Sequence, residues 1–124
     1  QHGLETIDFQ VSLFADMSAD ESVEFLRYAL ADLDTMIPLV DEIVVAWKKG
    51  DVARIEDLLI DGFEGHEALY ERLVTDRNRR WLPRIEELFR ADTDAMVVVG
   101  SLHLVGEKGL IELLEAKGYD VEQL

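Results

Sequence analysis

Eight apolar residues set the tightest constraint on what this chain can fold into. Val23, Leu26, Leu30, Leu33, Ile37, Val40, Val44 and Trp47 follow one another at alternating steps of three and four. Such steps return to one side of an α-helix at each turn, so the segment reads as helical with a single apolar stripe. Ser18 and Glu21 have capping-box spacing and start it. Lys48-Lys49-Gly50 ends it with cations and then a left-handed cap. Pro38, inside the stripe, kinks the helix or divides two stacked ones. Asp51 then caps a short helix with Val52, Ile55, Leu58 and Leu59 inward.

Beyond it, residues 65–90 read as a long helix bent or broken near Pro83. Ala95-Met96-Val97-Val98-Val99, after Asp92-Thr93-Asp94, is a short apolar run rich in β-branched residues. It predicts a fully buried strand that Gly100 ends. A helix over about 107–117 follows, with Leu110, Leu113 and Leu114 inward and Gly118 as its cap. Residues 3–7 and 119–124 read as short strands. Strand, loop, helix and strand from residue 95 onward make a βαβ-like unit, which favours parallel pairing. The expected fold class is therefore a helix-rich α/β domain over residues 1–124. It has a short, mostly parallel sheet, strands near both chain ends, and a long helical segment between.

Charge excludes several partners. Against 12 Lys and Arg stand 27 Asp and Glu, a net charge of −15 with His neutral. Phosphate backbones and anionic membrane surfaces are repelled by such a chain. No apolar run approaches the roughly 20 residues that span a bilayer. The absence of Cys removes disulfides and thiolate metal sites. The acidic residues are spread along the chain, which reads as a solvated surface, with a cation site as the rival reading. The opening Gln1-His2-Gly3-Leu4-Glu5 has neither an initiator Met nor a signal segment, as expected of a fragment of a longer protein.

Three residues are candidates for chemistry. His103 lies in Gly100-Ser101-Leu102-His103-Leu104-Val105-Gly106, the turn leaving the predicted strand, where ligands of open α/β sheets gather. An imidazole there can ligate a metal or shuttle protons; it can equally pack between Leu102 and Leu104 and bond a carbonyl. Arg77 is the second. At 100° per residue, Tyr70, Val74, Arg77, Trp81, Ile85 and Leu88 fall within about 80° of one another, so a guanidinium sits mid-stripe. Arg79 points away. A buried cation needs an anion, supplied by a substrate or by a structural carboxylate. Glu5, conspicuous after Gly3-Leu4, is the third: a metal ligand, a general base, the partner of Arg77, or an exposed terminal residue. Other matches fail. His66-Glu67 resembles the start of a zinc-protease helix, but Tyr70 holds the second histidine position, so both read as solvated first-turn residues. His2 reads as a terminal residue without a role. Ser101 lacks the Gly frame of a nucleophile elbow. Trp47 and Trp81 read as core.

These residues together resemble the carboxyl-terminal half of the TraB/PrgY/GumN family, which includes the Tiki proteases. Three features carry the resemblance. One is Arg77-Asn78; the second is the apolar run into Gly100-Ser101-Leu102-His103 and Leu104-Val105-Gly106; the third is Gly109-Leu110 to Gly118-Tyr119-Asp120-Val121. Gly3-Leu4-Glu5-Thr6 with Gln10 is similar to the family's mid-chain Gly-Leu-Glu segment. The resemblance implies half of an erythromycin-esterase/ChaN-like fold and a metal-dependent hydrolase, with peptide hydrolysis as the leading analogy. Family members carry two Gly-x-x-His motifs and an intervening glutamate. Glu5 matches that glutamate, His103 the second histidine, and Arg77 and Asn78 the Arg-Asn pair; the first Gly-x-x-His is absent.

The same resemblance implies a catalytic set of Glu5, Arg77, Asn78 and His103. His103 and Glu5 would hold a divalent metal (zinc, manganese or cobalt), and Arg77 would stabilise developing negative charge. The substrate would be a peptide or small molecule, the setting the cell envelope or periplasm, and this fragment inactive by itself. The rival reading is a non-catalytic module that sequesters a peptide or signal. An exposed sheet edge in such a fragment further predicts a homo-oligomer at micromolar concentration.

Overall fold

The computed structural model describes residues 2–31, 33–91 and 94–124, without the side chains of residues 31–36. The readings of Gln1, Asp92, Thr93 and the Leu33 side chain lie outside the described residues. Among the described residues seven α-helices follow in order: α1 (Ile7–Ala15), α2 (Ala19–Ala31), α3 (Leu33–Lys49), α4 (Val52–Ile60), α5 (Glu67–Tyr70), α6 (Asp76–Arg90) and α7 (Leu110–Glu115). Short 3₁₀ turns lie at Asp61–Phe63 and Ser101–His103. No described helix is long and apolar enough to cross a membrane.

Local signals act where side-chain chemistry dictates the backbone. Thr6 caps α1 by accepting from the Phe9 N–H. Ser18 and Glu21 close a reciprocal capping box, the Ser18 N–H donating to Glu21 at 2.7 Å and the Glu21 N–H to Ser18 Oγ at 3.2 Å. Gly50, at φ 66°, turns the chain out of α3. Asp51 then accepts from the Arg54 N–H and opens α4. The long helix predicted over 65–90 runs instead as α5, a π turn over Glu71–Thr75, and α6. The irregularity thus falls upstream of Pro83, which sits exposed within α6.

The α/β expectation is corrected: among the described residues there is no strand and no sheet. Residues 3–5 turn directly into α1, and residues 119–124 stay irregular. Residues 94–100 do alternate as a strand would. Val97 and Val99 pack on the core, whereas Met96 and Val98 are 89% and 76% exposed. What is missing is a neighbour. No backbone hydrogen bond joins residues 94–99 to any other described residue, and a strand exists only through its ladder.

Two apolar clusters form among the described residues. The larger joins Trp81, Leu82 and Ile85 of α6 to Leu110 and Leu114 of α7, and Leu4, Val97, Val99 and Val121 pack against it. All three segments predicted as strands therefore reach one core without pairing. The smaller joins Ala46 of α3, Ile55 of α4 and Val105. The long apolar stripe of α2 and α3 is not part of either. Val23, Leu26, Leu30, Ile37, Val40 and Val44 are exposed, and Trp47, expected in the core, is 66% exposed. Other sides of these helices turn inward. In α2, Phe25 meets Phe14 and Tyr28 stacks on Phe63; in α3, Ala46 packs on α4. Val52, also expected inward, is exposed.

Candidate functional site

Helix α6 organises the site because its inner face carries polar and apolar residues together. Asn78, Trp81, Leu82 and Ile85 are buried, and Arg77 keeps only 19% of its side chain exposed. Arg79, two residues on, is 58% exposed and pairs with Glu71 and Asp76. The buried cation finds its anion in Glu5, whose side chain is 5% exposed. The pair is bidentate: Arg77 Nε donates to Glu5 Oε1 at 2.8 Å and Nη2 to Oε2 at 2.9 Å. The remaining guanidinium nitrogen, Nη1, donates to the Leu73 carbonyl at 3.1 Å. Gln10 adds a bond to Glu5 at 3.3 Å. Burial alone would push the Glu5 carboxyl up. The Arg77 hydrogen bond and charge, aided by Gln10 and Trp81, outweigh it and hold the carboxyl below the ordinary glutamate range. The Trp81 indole N–H contributes by proximity, since it makes no hydrogen bond among the described residues.

Trp81 is the link that sequence reasoning placed only in the core. It lies four residues after Arg77, hence one turn away on the same face. Its ring takes the Arg77 guanidinium on one side, 4.9 Å from its centroid, and packs against the His103 imidazole, 4.5 Å between centroids.

His103 sits in the 3₁₀ turn after Gly100 and is 8% exposed. Asn78 fixes its state. Asn78 Nδ2 donates to the carbonyls of His103 and Lys108, at 3.1 and 2.9 Å, which leaves Oδ1 as an acceptor. Oδ1 lies 2.8 Å from His103 Nδ1, so Nδ1 carries the proton and Nε2 the lone pair. Burial lowers the imidazole pKa to about 4, with the Arg77 charge acting in the same direction and Glu5 against it. The ring is therefore neutral at pH 7, and Nε2 has no hydrogen-bond partner among the described residues. His103, Glu5, Gln10, Arg77 and Trp81 all line one cleft of about 580 Å³ beside residues 96–100.

The four sequence candidates thus meet in one place, Glu5 with Arg77 and Asn78 with His103. His66 stands apart, half-buried, with Nδ1 3.2 Å from Glu24. The donor set does not suit a zinc, manganese or cobalt ion. Both Glu5 oxygens are bonded to a guanidinium, whose positive charge also repels a second cation from them. One imidazole nitrogen remains, and among the described residues no three His, Cys, Asp or Glu side chains gather to hold a metal.

Comparison with known proteins adds one finding. A sequence model of the TraB/PrgY/gumN family matches residues 1–123. No curated protein and no solved structure matches the chain.

Proposed function

The chain belongs to the TraB/PrgY/gumN family, and from that premise we propose that it carries the His103-centred part of a hydrolase site acting on a carbonyl compound, with peptides as the first class to try. The observation that supports this reading is the neutral His103. Its Nδ1–H is held by Asn78, and its Nε2 is left without a partner in a ring that lines the cleft. Such a nitrogen can take a proton from water as the water oxygen bonds to the substrate carbonyl. It can return that proton to the leaving amine as the C–N bond breaks. Asn78 sets the tautomer. Arg77 spends three of its five N–H donors on Glu5 and Leu73 and so holds Glu5 and Trp81 in place, and the second N–H of each Nη is left to meet a substrate oxygen in the cleft. A metal route needs ligands beyond Glu5 and His103, and no step is assigned to one.

The second reading, a module that sequesters a peptide or signal, draws on the same Glu5. A carboxylate with both oxygens committed is poorly placed as a base, which leaves the cleft with one reactive group. The two readings separate in one experiment. The protein is incubated with a mixed peptide library, and new termini are read by mass spectrometry. Hydrolysis predicts cleavage that stays level above about pH 5, falls below it, and is lost in His103→Gln with the circular dichroism unchanged. Cleavage that survives His103→Gln refutes the role given to His103. Retention of peptide without cleavage, unchanged in His103→Gln, establishes sequestration instead.

A further inference from the structure

The apolar stripe that the fold leaves in solvent has the spacing of a coiled-coil seam. Val23, Leu26, Leu30, Ile37, Val40, Val44 and Trp47 occupy positions a, d, a, a, d, a and d of an unbroken heptad register. Helices that bury a face inside a globular domain use a broader face at period 3.6, whereas a strict seven-residue repeat suits one partner helix. Every one of these seven residues is exposed, between 40% for Val44 and 75% for Ile37. Meanwhile α3 already uses a different side, through Ala46, to pack on Ile55 of α4. The outward stripe is thus surplus to the fold of one copy. Pro38 falls at position b, off the seam, where its missing N–H does not obstruct a partner.

We propose that this stripe is a self-association surface and that its occupant is the same stripe of a second copy. Two arguments favour a copy over a foreign helix. The first is area: the seven side chains leave on the order of 700 Å² of apolar surface per copy, near the roughly 800 Å² a side of a standard stable interface. The second is that a two-fold contact needs only one self-complementary patch, and an uninterrupted row of Val, Leu, Ile and Trp meets that condition. Two copies each at −15 repel one another at long range. Association through an apolar seam therefore strengthens as salt screens that repulsion, opposite to the behaviour of an interface built on ion pairs.

Sedimentation equilibrium on the full chain from 5 to 200 µM, at about 20 and 300 mM NaCl, tests the proposal. The wild type is expected to be a dimer that tightens with salt. Val40→Glu with Val44→Glu, both at exposed positions, should give a monomer with unchanged helical circular dichroism. If that variant loses helicity, Leu26→Glu on α2 takes its place. Trp47 emission should shift to shorter wavelength as the dimer forms; Trp81, already buried, does not contribute to the shift. Met96→Lys should leave the dimer intact. A monomer at 200 µM in high salt overturns the proposal, as does a dimer that persists in the seam variants. A dimer broken by Met96→Lys overturns it in favour of pairing through residues 95–99.

Discussion

Removing Arg77 should be among the most damaging single changes available to this protein, and the structure sets its size. Arg77 keeps 19% and Glu5 5% of their side chains exposed, so the pair is largely desolvated. Breaking a buried pair by deleting one partner costs about 3–5 kcal/mol, because the other charge is stranded. The partial exposure of Arg77 puts Arg77→Ala near the low end, about 3 kcal/mol at pH 7.5. Loss of the Leu73 carbonyl bond and of the Trp81 contact adds to this. The pH dependence supplies the sharper signature. In the wild type the Glu5 carboxyl sits below its unfolded value. Its contribution is therefore present above that value and lost as pH falls through the folded one. Without Arg77, burial is opposed only by the smaller contributions of Gln10 and Trp81 and raises the carboxyl. Protonation then relieves the variant as pH falls, and its deficit against wild type should narrow toward pH 5. Urea denaturation followed by circular dichroism at pH 5 and 7.5 measures this, and a thermal melt at the higher pH should show a loss of roughly 10 °C. Arg77→Met with Glu5→Leu should recover part of the loss, and Arg79→Ala should stay within about 0.5 kcal/mol. An Arg77→Ala deficit under 1 kcal/mol, or one that does not change with pH, refutes the reasoning.

Three further outcomes are expected. The His103 imidazole should titrate by NMR with a midpoint of about 4; because the unfolded ring titrates near 6.5, the unfolded chain binds more protons between those values. Stability should then fall by about 3 kcal/mol as pH drops through that window, and a midpoint near 6.5 would contradict the buried neutral ring. Asn78→Ala leaves the His103 Nδ1–H and two carbonyls without their partner. It should cost about 2–3 kcal/mol in chemical denaturation, and a neutral result would show that water replaces the amide. Gly109→Ala would drive a Cβ into the Leu104 and Val105 carbonyls. Denaturation should show a loss above about 2 kcal/mol, unlike the mild cost of Gly65→Ala, where the positive φ is strained but nothing lies within 4 Å.

How far the site was legible turns on what a helix makes periodic. One rotation per 3.6 residues put Arg77 on the inner face of α6 and Arg79 on the outer one. The rule that buried charge needs a partner then pointed to Glu5, which lies 72 residues away in sequence and is bonded at 2.8 and 2.9 Å. Both steps are local geometry followed by electrostatics, and neither needs the rest of the fold. The Asn78–His103 bond was not legible in that way. It depends on a 3₁₀ turn and on the Lys108 carbonyl arriving beside α6, a matter of loop path rather than period. Trp81 was visible as an apolar residue on the right face, but its role between Arg77 and His103 exists only once the 101–103 turn is placed.

The two misreadings of the fold share a cause. Val97 and Val99 facing the core, with Met96 and Val98 facing out, have the alternation of a strand. Yet alternation belongs to one segment and a ladder to two. Composition supplied the first and could not supply a neighbour for the second. In α3 the ambiguity is rotational. Leu39, Ile43 and Ala46 also recur at steps of four and three, about 110° around the helix from Ile37, Val40, Val44 and Trp47. The first set is half-buried or buried and the second exposed. Either set alone satisfies the helical pattern, and the bulkier one is the natural choice for a core. The smaller set packs because Ala46 lets α3 approach Ile55 and Val105 closely, which Trp47 on that side would prevent. Side-chain volume at the contact, rather than apolar periodicity, decides which face of α3 the fold uses.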